Sequence, residues 1–258
     1  MKVERKCKIV SKERLGDAIY MTLEVGDMVR TSFKGPGQFV HIKCGEGLLL
    51  RRPISVCSCQ EDEPEDLLTI VFEVRGEGTD WLARRPVGHS LDVMGLLGNG
   101  FQMKPEGRYL LVGGGIGIPP MLGCAQYAPG KCTAILGGRS REKIILKDRF
   151  EEECPRVLVA TDDGSLGHHG FVDALVRREL SEDKGYDAVL ACGPRPMLRN
   201  VARAAEEFNI PCQVSMEERM GCGIGACLVC VCDMTDGSRK HVCKNGPVFD
   251  SREVNWDA

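Results

Sequence analysis

Cys222, Cys227, Cys230 and Cys243 follow the spacing C-x4-C-x2-C-x12-C near the end of the chain. Any fold of this sequence must bring those four thiols to one place if they share a metal. The spacing is the one that ligates a 2Fe-2S cluster from a tight loop and a distant fourth cysteine. A structural zinc site would more usually carry two C-x2-C pairs, and only Cys227 and Cys230 form one, so the spacing favours iron–sulfur while zinc stays open. Gly221, Gly223 and Gly225 suit a loop that must turn sharply and aim backbone N–H groups at sulfur. Cys232 alternates with Cys230 along an extended segment, so its thiol is expected to face away from the site and pack in a core.

The rest of the composition narrows the class. The chain has 258 residues, enough for two domains and a small appendage, and a net charge of -3 offers no basic surface for nucleic acid. Fourteen cysteines with a charged opening stretch, Met-Lys-Val-Glu-Arg-Lys, are expected of a cytoplasmic protein whose thiols serve metal or packing, not disulfides. The uncharged run Tyr109 to Gly130 is too rich in Gly and Pro for a membrane helix and reads as strand, loop and helix start. No repeat or low-complexity segment stands out.

Hydrophobic periodicity divides the chain in three. Segments beginning at Cys7, Ile19, Gln38, Ile54, Leu68 and Ser90 alternate or run apolar between Gly, Pro and Asp clusters, which predicts six short strands and a small antiparallel barrel. After Gly98-Asn-Gly100, apolar runs at Arg108, Lys131, Arg156 and Asp187 are separated by helical spacing, clearest over Val172 to Leu180 and Pro196 to Phe208. That grammar predicts a Rossmann-like parallel sheet of βαβ units. The expected domains are 1–103, 104–212 and 213–258.

Gly113, Gly114, Gly115 and Gly117 follow a strand and precede Pro119 and Pro120, which suit a first helical turn. Such a loop can present backbone N–H groups and a helix N-terminus to a pyrophosphate, although tight βα packing also asks for glycine. Asp162 and Asp163 close the strand Arg156 to Thr161 at the sheet edge that binds ligands in doubly wound folds. An acid there favours NADH over NADPH, while Arg139 and Arg141 could accept the extra phosphate. Cys192, Gly193 and Pro194 form a third strand end. In the barrel, Arg51 and Arg52 begin a strand, and Gly78 and Thr79 precede a helix expected from Asp80; together they offer a guanidinium, a hydroxyl and a helix start to a diphosphate.

Arg52-Pro-Ile-Ser55, Gly78-Thr79, the glycine loop, Asp162-Asp-Gly-Ser165, Cys192-Gly-Pro194 and the cysteine module occur in an order that resembles the ferredoxin-reductase superfamily. More narrowly, it resembles the electron-transfer subunits of class 1B dihydroorotate dehydrogenase. The resemblance covers nearly the whole chain, and its most specific part is the cysteine module placed after the reductase domains. It implies FAD, a 2Fe-2S cluster and NAD, and a heterotetramer with two FMN-containing catalytic subunits. It also implies that Arg52, Pro53, Ile54 and Ser55 line the flavin, with Arg52 on its pyrophosphate and Gly78 and Thr79 capping it. Val71, Phe72 and Glu73 would offer backbone hydrogen bonds to the ring, and Cys192 would lie near the nicotinamide. Ile54 stands where the wider superfamily has a flavin-stacking Tyr. His168, His169, Met216 and Met220 are expected to serve as loop and packing residues.

NADH exchanges two electrons and a 2Fe-2S cluster one, so a flavin between them is the chemically required converter. No arrangement for hydrolysis is present. A reductase serving another partner would keep all these motifs; a zinc-stabilised binding module would keep only the cysteines.

Overall fold

A computed structural model describes residues 3–258. The first six strands are β1 (Val3–Leu15), β2 (Ala18–Glu24), β3 (Phe39–Lys43), β4 (Arg52–Gln60), β5 (Leu67–Glu73) and β6 (Ser90–Leu97), with short helices α1 (Met28–Ser32) and α2 (Glu77–Ala83) between them. They close a barrel in the order β1-β2-β5-β4-β3-β6, every pairing antiparallel. Period-two alternation drives closure: Ile9, Met21, Leu23, Val40, Ile42, Ile54, Leu68, Ile70 and Val93 turn inward to one core. Closure also removes the exposed edges that an open six-stranded sheet would carry.

The second unit contains β7 (Tyr109–Gly114), α3 (Ile118–Tyr127), β8 (Cys132–Gly138), α4 (Lys147–Glu153), β9 (Arg156–Thr161), β10 (His168–His169), α5 (Val172–Glu182), β11 (Ala188–Cys192), α6 (Arg195–Glu207) and β12 (Cys212–Ser215). A final group, β13 (Val231–Asp233), β14 (Arg239–His241) and β15 (Val248–Asp250), follows the cysteine loop. The large sheet runs β10-β9-β8-β7-β11-β12-β15, parallel except for β15. Its central strands are buried on both faces, which is why they read as continuous apolar runs.

The histidine pair and the chain after the cysteines differ from the sequence expectation. His168 and His169 form an edge strand against Ala160 and Thr161, with no apolar content to announce it. The chain after the cysteines also returns to the sheet: β15 pairs with β12, so the division expected after residue 212 falls inside β12. The module shares a core with the sheet, in which Cys230, Cys232, Val242, Cys243 and Phe249 pack with Val189, Val214 and Phe39 of the barrel. Met216 is buried in that same core and Met220 packs on it. Among the described residues no helix is long and apolar enough to cross a membrane.

Candidate functional site

The loop from Gly221 to Cys230 is held open by backbone hydrogen bonds to sulfur. The N–H groups of Ile224 and Ala226 donate to Cys222 Sγ at 3.4 and 3.3 Å, that of Gly225 to Cys243 Sγ at 3.1 Å, and that of Cys222 to Cys227 Sγ at 3.4 Å. Such donors belong around thiolates or cluster sulfurs; a packed thiol does not need them. At Cys222 burial acts to raise the pKa, but the N–H groups of Ile224 and Ala226 and neighbouring Cys227 outweigh it and bring the thiol down to about 6. Cys243 shows the opposite balance: burial, then Cys230 beside it, pushes it up to about 12. The four cysteines thus fall into an outward pair, Cys222 with exposed Cys227, and an inward pair, Cys230 with Cys243, each only 2% accessible.

Gly223 and Gly225 have φ of +67° and +79°, which turn the loop over the sulfurs. Leu228 takes φ +59° without being glycine and leaves its side chain exposed beside exposed Val229 and Ile224. Cys232 sits in β13, 2% accessible, and faces the shared core; burial raises its pKa. The segment after Cys243 is fastened to the barrel exit by Asn99, whose side-chain amide donates to the carbonyls of Lys244 and Asn245 at 3.1 and 3.0 Å. Asn99 N–H donates to Gly246 O at 2.7 Å.

In the barrel, the two adjacent arginines have different fates. Arg51 pairs with Asp92 at 2.9 Å and with Glu4, so it is consumed in a β1–β6 ion-pair network. Arg52 has no carboxylate partner among the described residues; its guanidinium lies over Gly78, where a Cβ would come within 2.5 Å of Nε. A guanidinium that donates to the Leu50 carbonyl but meets no carboxylate, set against the start of α2, suits an anionic group such as a flavin diphosphate. α2 begins at Glu77, three residues before the expected start, because Thr79 Oγ1 accepts from the N–H groups of Arg75 and Gly76 at 2.9 and 3.2 Å. Thr79 is therefore occupied in shaping the turn. Pro53 lies opposite His41 of β3, Ser55 opposite Phe39, and Ile54 packs into the barrel core. Val71 and Phe72 are buried, and Glu73 pairs with Arg75 at 2.8 Å.

At the carboxyl edge of the sheet, close packing accounts for three of the loop glycines. A Cβ on Gly113 would lie 2.8 Å from Ile118 Cα, one on Gly114 would strike Met197, and one on Gly117 would strike the Cys192 carbonyl. Gly115 alone faces open space, at φ +55°, ahead of α3 with Pro119 in its first turn. Cys192 borders this loop, paired in register with Gly113, and burial pushes its thiol up to about 12. Gly193 and Pro194 lead into α6, and Gly193 packs under Met197. Asp163 accepts from Ser165 Oγ and N–H at 2.6 and 2.9 Å, which lowers its pKa, and Arg141 holds the same serine through its backbone N–H and guanidinium at 2.8 and 3.0 Å. Of the acids and arginines expected to compete for a ribose, Asp163 and Arg141 are thus tied to Ser165, and Asp162 remains exposed.

Residues 217–255 match the family model for the iron–sulfur cluster binding domain of dihydroorotate dehydrogenase B, and residues 111–203 that for the oxidoreductase NAD-binding domain. The chain is 38% identical to the dihydroorotate dehydrogenase B (NAD(+)) electron transfer subunit of Caldanaerobacter subterraneus subsp. tengcongensis, over 98% of this chain and 99% of that one. The chain belongs to this family. The subunit of Bacillus pumilus is 40% identical over 95% of this chain and 96% of its own length. Among solved structures, one from a study of NADH-dependent reduced ferredoxin–NADP oxidoreductase superposes with a TM-score of 0.85 at 32% identity, covering 97% of this chain and 90% of that one. The ferredoxin reductase of carbazole 1,9a-dioxygenase, 21% identical over 81% of this chain and 67% of its own, shares the fold with a TM-score of 0.66. As a dihydroorotate dehydrogenase B electron-transfer subunit, the chain is an NAD-dependent iron–sulfur flavoprotein oxidoreductase subunit with FAD and a 2Fe-2S cluster.

The sequence reading did not single out His41 or Asn99, both of which touch the cysteine module from the barrel. Neither stands in a motif, and only the folded contact between distant segments reveals them.

Proposed function

We propose that this chain carries electrons between an FMN-containing dihydroorotate dehydrogenase catalytic subunit and NAD+, in pyrimidine biosynthesis in the cytoplasm, as a heterotetramer with two copies of each subunit. The observation that carries this is the cysteine loop: four thiols, three of them fed by backbone N–H donors and two of them outward, on a module built into the NAD-domain sheet. When bound, the cluster supplies single-electron transfer and the flavin the conversion between single electrons and a nicotinamide hydride. Cys222, Cys227, Cys230 and Cys243 hold the cluster. Arg52 neutralises the flavin diphosphate, with Gly78 leaving room for its guanidinium, while Pro53, Ile54, Ser55, Val71, Phe72 and Glu73 form the strands beside the ring. Gly113, Gly114, Gly115, Gly117 and Pro119 shape the nucleotide loop, Asp162 meets the ribose while Asp163 holds the turn beside it through Ser165, and Cys192, Gly193 and Pro194 border the nicotinamide.

Exposed Ile224, Leu228 and Val229 around Cys227 make the outward half of the loop an apolar docking face for the catalytic subunit. A second reading, a reductase subunit serving a different partner, draws on the 32% identical solved structure from the NADH-dependent reduced ferredoxin–NADP oxidoreductase study. The visible absorption spectrum of freshly purified protein tests the cofactor content. Flavin and iron–sulfur bands are expected, and a colourless protein would return the cysteines to zinc. Co-purification with a dihydroorotate-oxidising FMN subunit, as against another flavoprotein, separates the two partner readings.

A further inference from the structure

His41 is fully buried, and neither ring nitrogen has a hydrogen-bond partner. Val40 and Ile42 on either side belong to the barrel core, so alternation sends His41 outward, on the side of Phe39, which packs in the core shared with the cysteine module. There its ring meets the cysteine loop: a Cβ on Gly223 would lie 2.6 Å from His41 Nδ1 and 3.1 Å from Cε1. Gly223 directly follows Cys222. On the other side, His41 is the strand partner of Pro53, beside Arg52. Burial lowers the imidazole pKa to about 4, so the ring is neutral and keeps one N–H.

A buried N–H without an acceptor is costly, and apolar residues fill comparable outward positions such as Phe39. We propose that His41 is a positioning residue for the iron–sulfur cluster, presenting its ring N–H to the sulfurs held by the Cys222–Cys230 loop and setting the cluster's reduction potential. The inference rests on the cluster reading above and extends it from the ligands to the barrel. Reduction adds one negative charge to the cluster, and a donor aimed at sulfur stabilises that form, so its loss lowers the potential. Because β3 also pairs with β4, the same residue links the cluster loop to the flavin strand.

The test is an EPR-monitored redox titration of the full-length, cofactor-loaded chain and its His41→Leu and His41→Gln variants, with iron, acid-labile sulfide and FAD assayed alongside. His41→Leu should keep full iron and sulfide but shift the cluster's one-electron equilibrium about tenfold toward the oxidised form, equivalent to 59 mV. His41→Gln, which keeps an N–H, should recover at least half of that shift. A fully loaded His41→Leu protein with an unchanged potential would overturn the proposal, as would a Gln variant no better than Leu. Should the Leu variant fail to hold its cluster, pulsed EPR of the reduced wild-type protein with 15N-labelled histidine decides. The rival source is His241, two residues before Cys243 and with its own Nδ1 unpartnered; an imidazole coupling that persists in His241→Asn supports the assignment to His41, and its absence refutes it. Wild-type protein without iron would instead sink the cluster reading itself.

Discussion

At the scale of single residues, the cysteine assignments are the most exposed to experiment. Cys227 is exposed and hydrogen-bonded within the loop, whereas Cys232 is buried in the shared core. Cys227→Ser should therefore lose iron and acid-labile sulfide, and Cys232→Ser should retain a full complement; a cluster lost from the latter would overturn the ligand set. Nucleotide choice belongs to this scale too. Asp163 and Arg141 are both held by Ser165, so exposed Asp162 is the group left to oppose a 2′-phosphate. NADH should give the higher kcat/KM in dye reduction, and Asp162→Ala should narrow the ratio while Asp163→Ala disturbs the turn. An NADPH preference in the unmodified protein would mean that Arg139 and Arg141 prevail.

At the scale of elements, the cysteine module depends on strands and turns far from its four cysteines. Asn99, in the turn after β6, makes two side-chain hydrogen bonds to the segment carrying Cys243. Asn99→Ala should cost about 1–3 kcal/mol at roughly 0.5–1.5 per bond, and should speed loss of the cluster to a chelator. Unchanged denaturant midpoint and chelation rate would show that the clamp is idle. Elements of this kind mark the limit of sequence reading. The six barrel strands and the apolar runs of β7, β8, β9 and β11 were legible because each buries a strand-period or continuous apolar set. β10 was not, since two histidines carry no such pattern, and β15 was not, since three residues after a loop announce nothing until β12 pairs with them. At the site, the cysteine spacing was legible because ligation fixes it. The glycine loop was legible only in outline: Gly113, Gly114 and Gly117 answer to packing against Ile118, Met197 and Cys192, a contact that no local motif encodes. His41 was silent for the same reason, being placed by a contact across about 180 residues of chain.

At the scale of the whole molecule, sheet and cysteine module share one apolar core that Phe39 and Leu97 of the barrel enter, and the module is pinned at β12–β15, at Asn99 and at His41. On the proposed assignment, such an arrangement would fix a one-electron centre relative to β4 while leaving Cys227, Leu228 and Val229 outward. The isolated chain should then reduce artificial dyes with NADH and oxidise no dihydroorotate, because the proposed function places the substrate site and its FMN on the catalytic subunit. The measurement that bears most directly on this account is the rate of dihydroorotate-dependent NAD+ reduction by the co-purified complex, compared between cluster-loaded and cluster-depleted preparations of equal subunit and flavin content. The account predicts that depletion abolishes the coupled rate while NADH-driven dye reduction persists; a coupled rate left unchanged in an intact, cluster-free complex would contradict it.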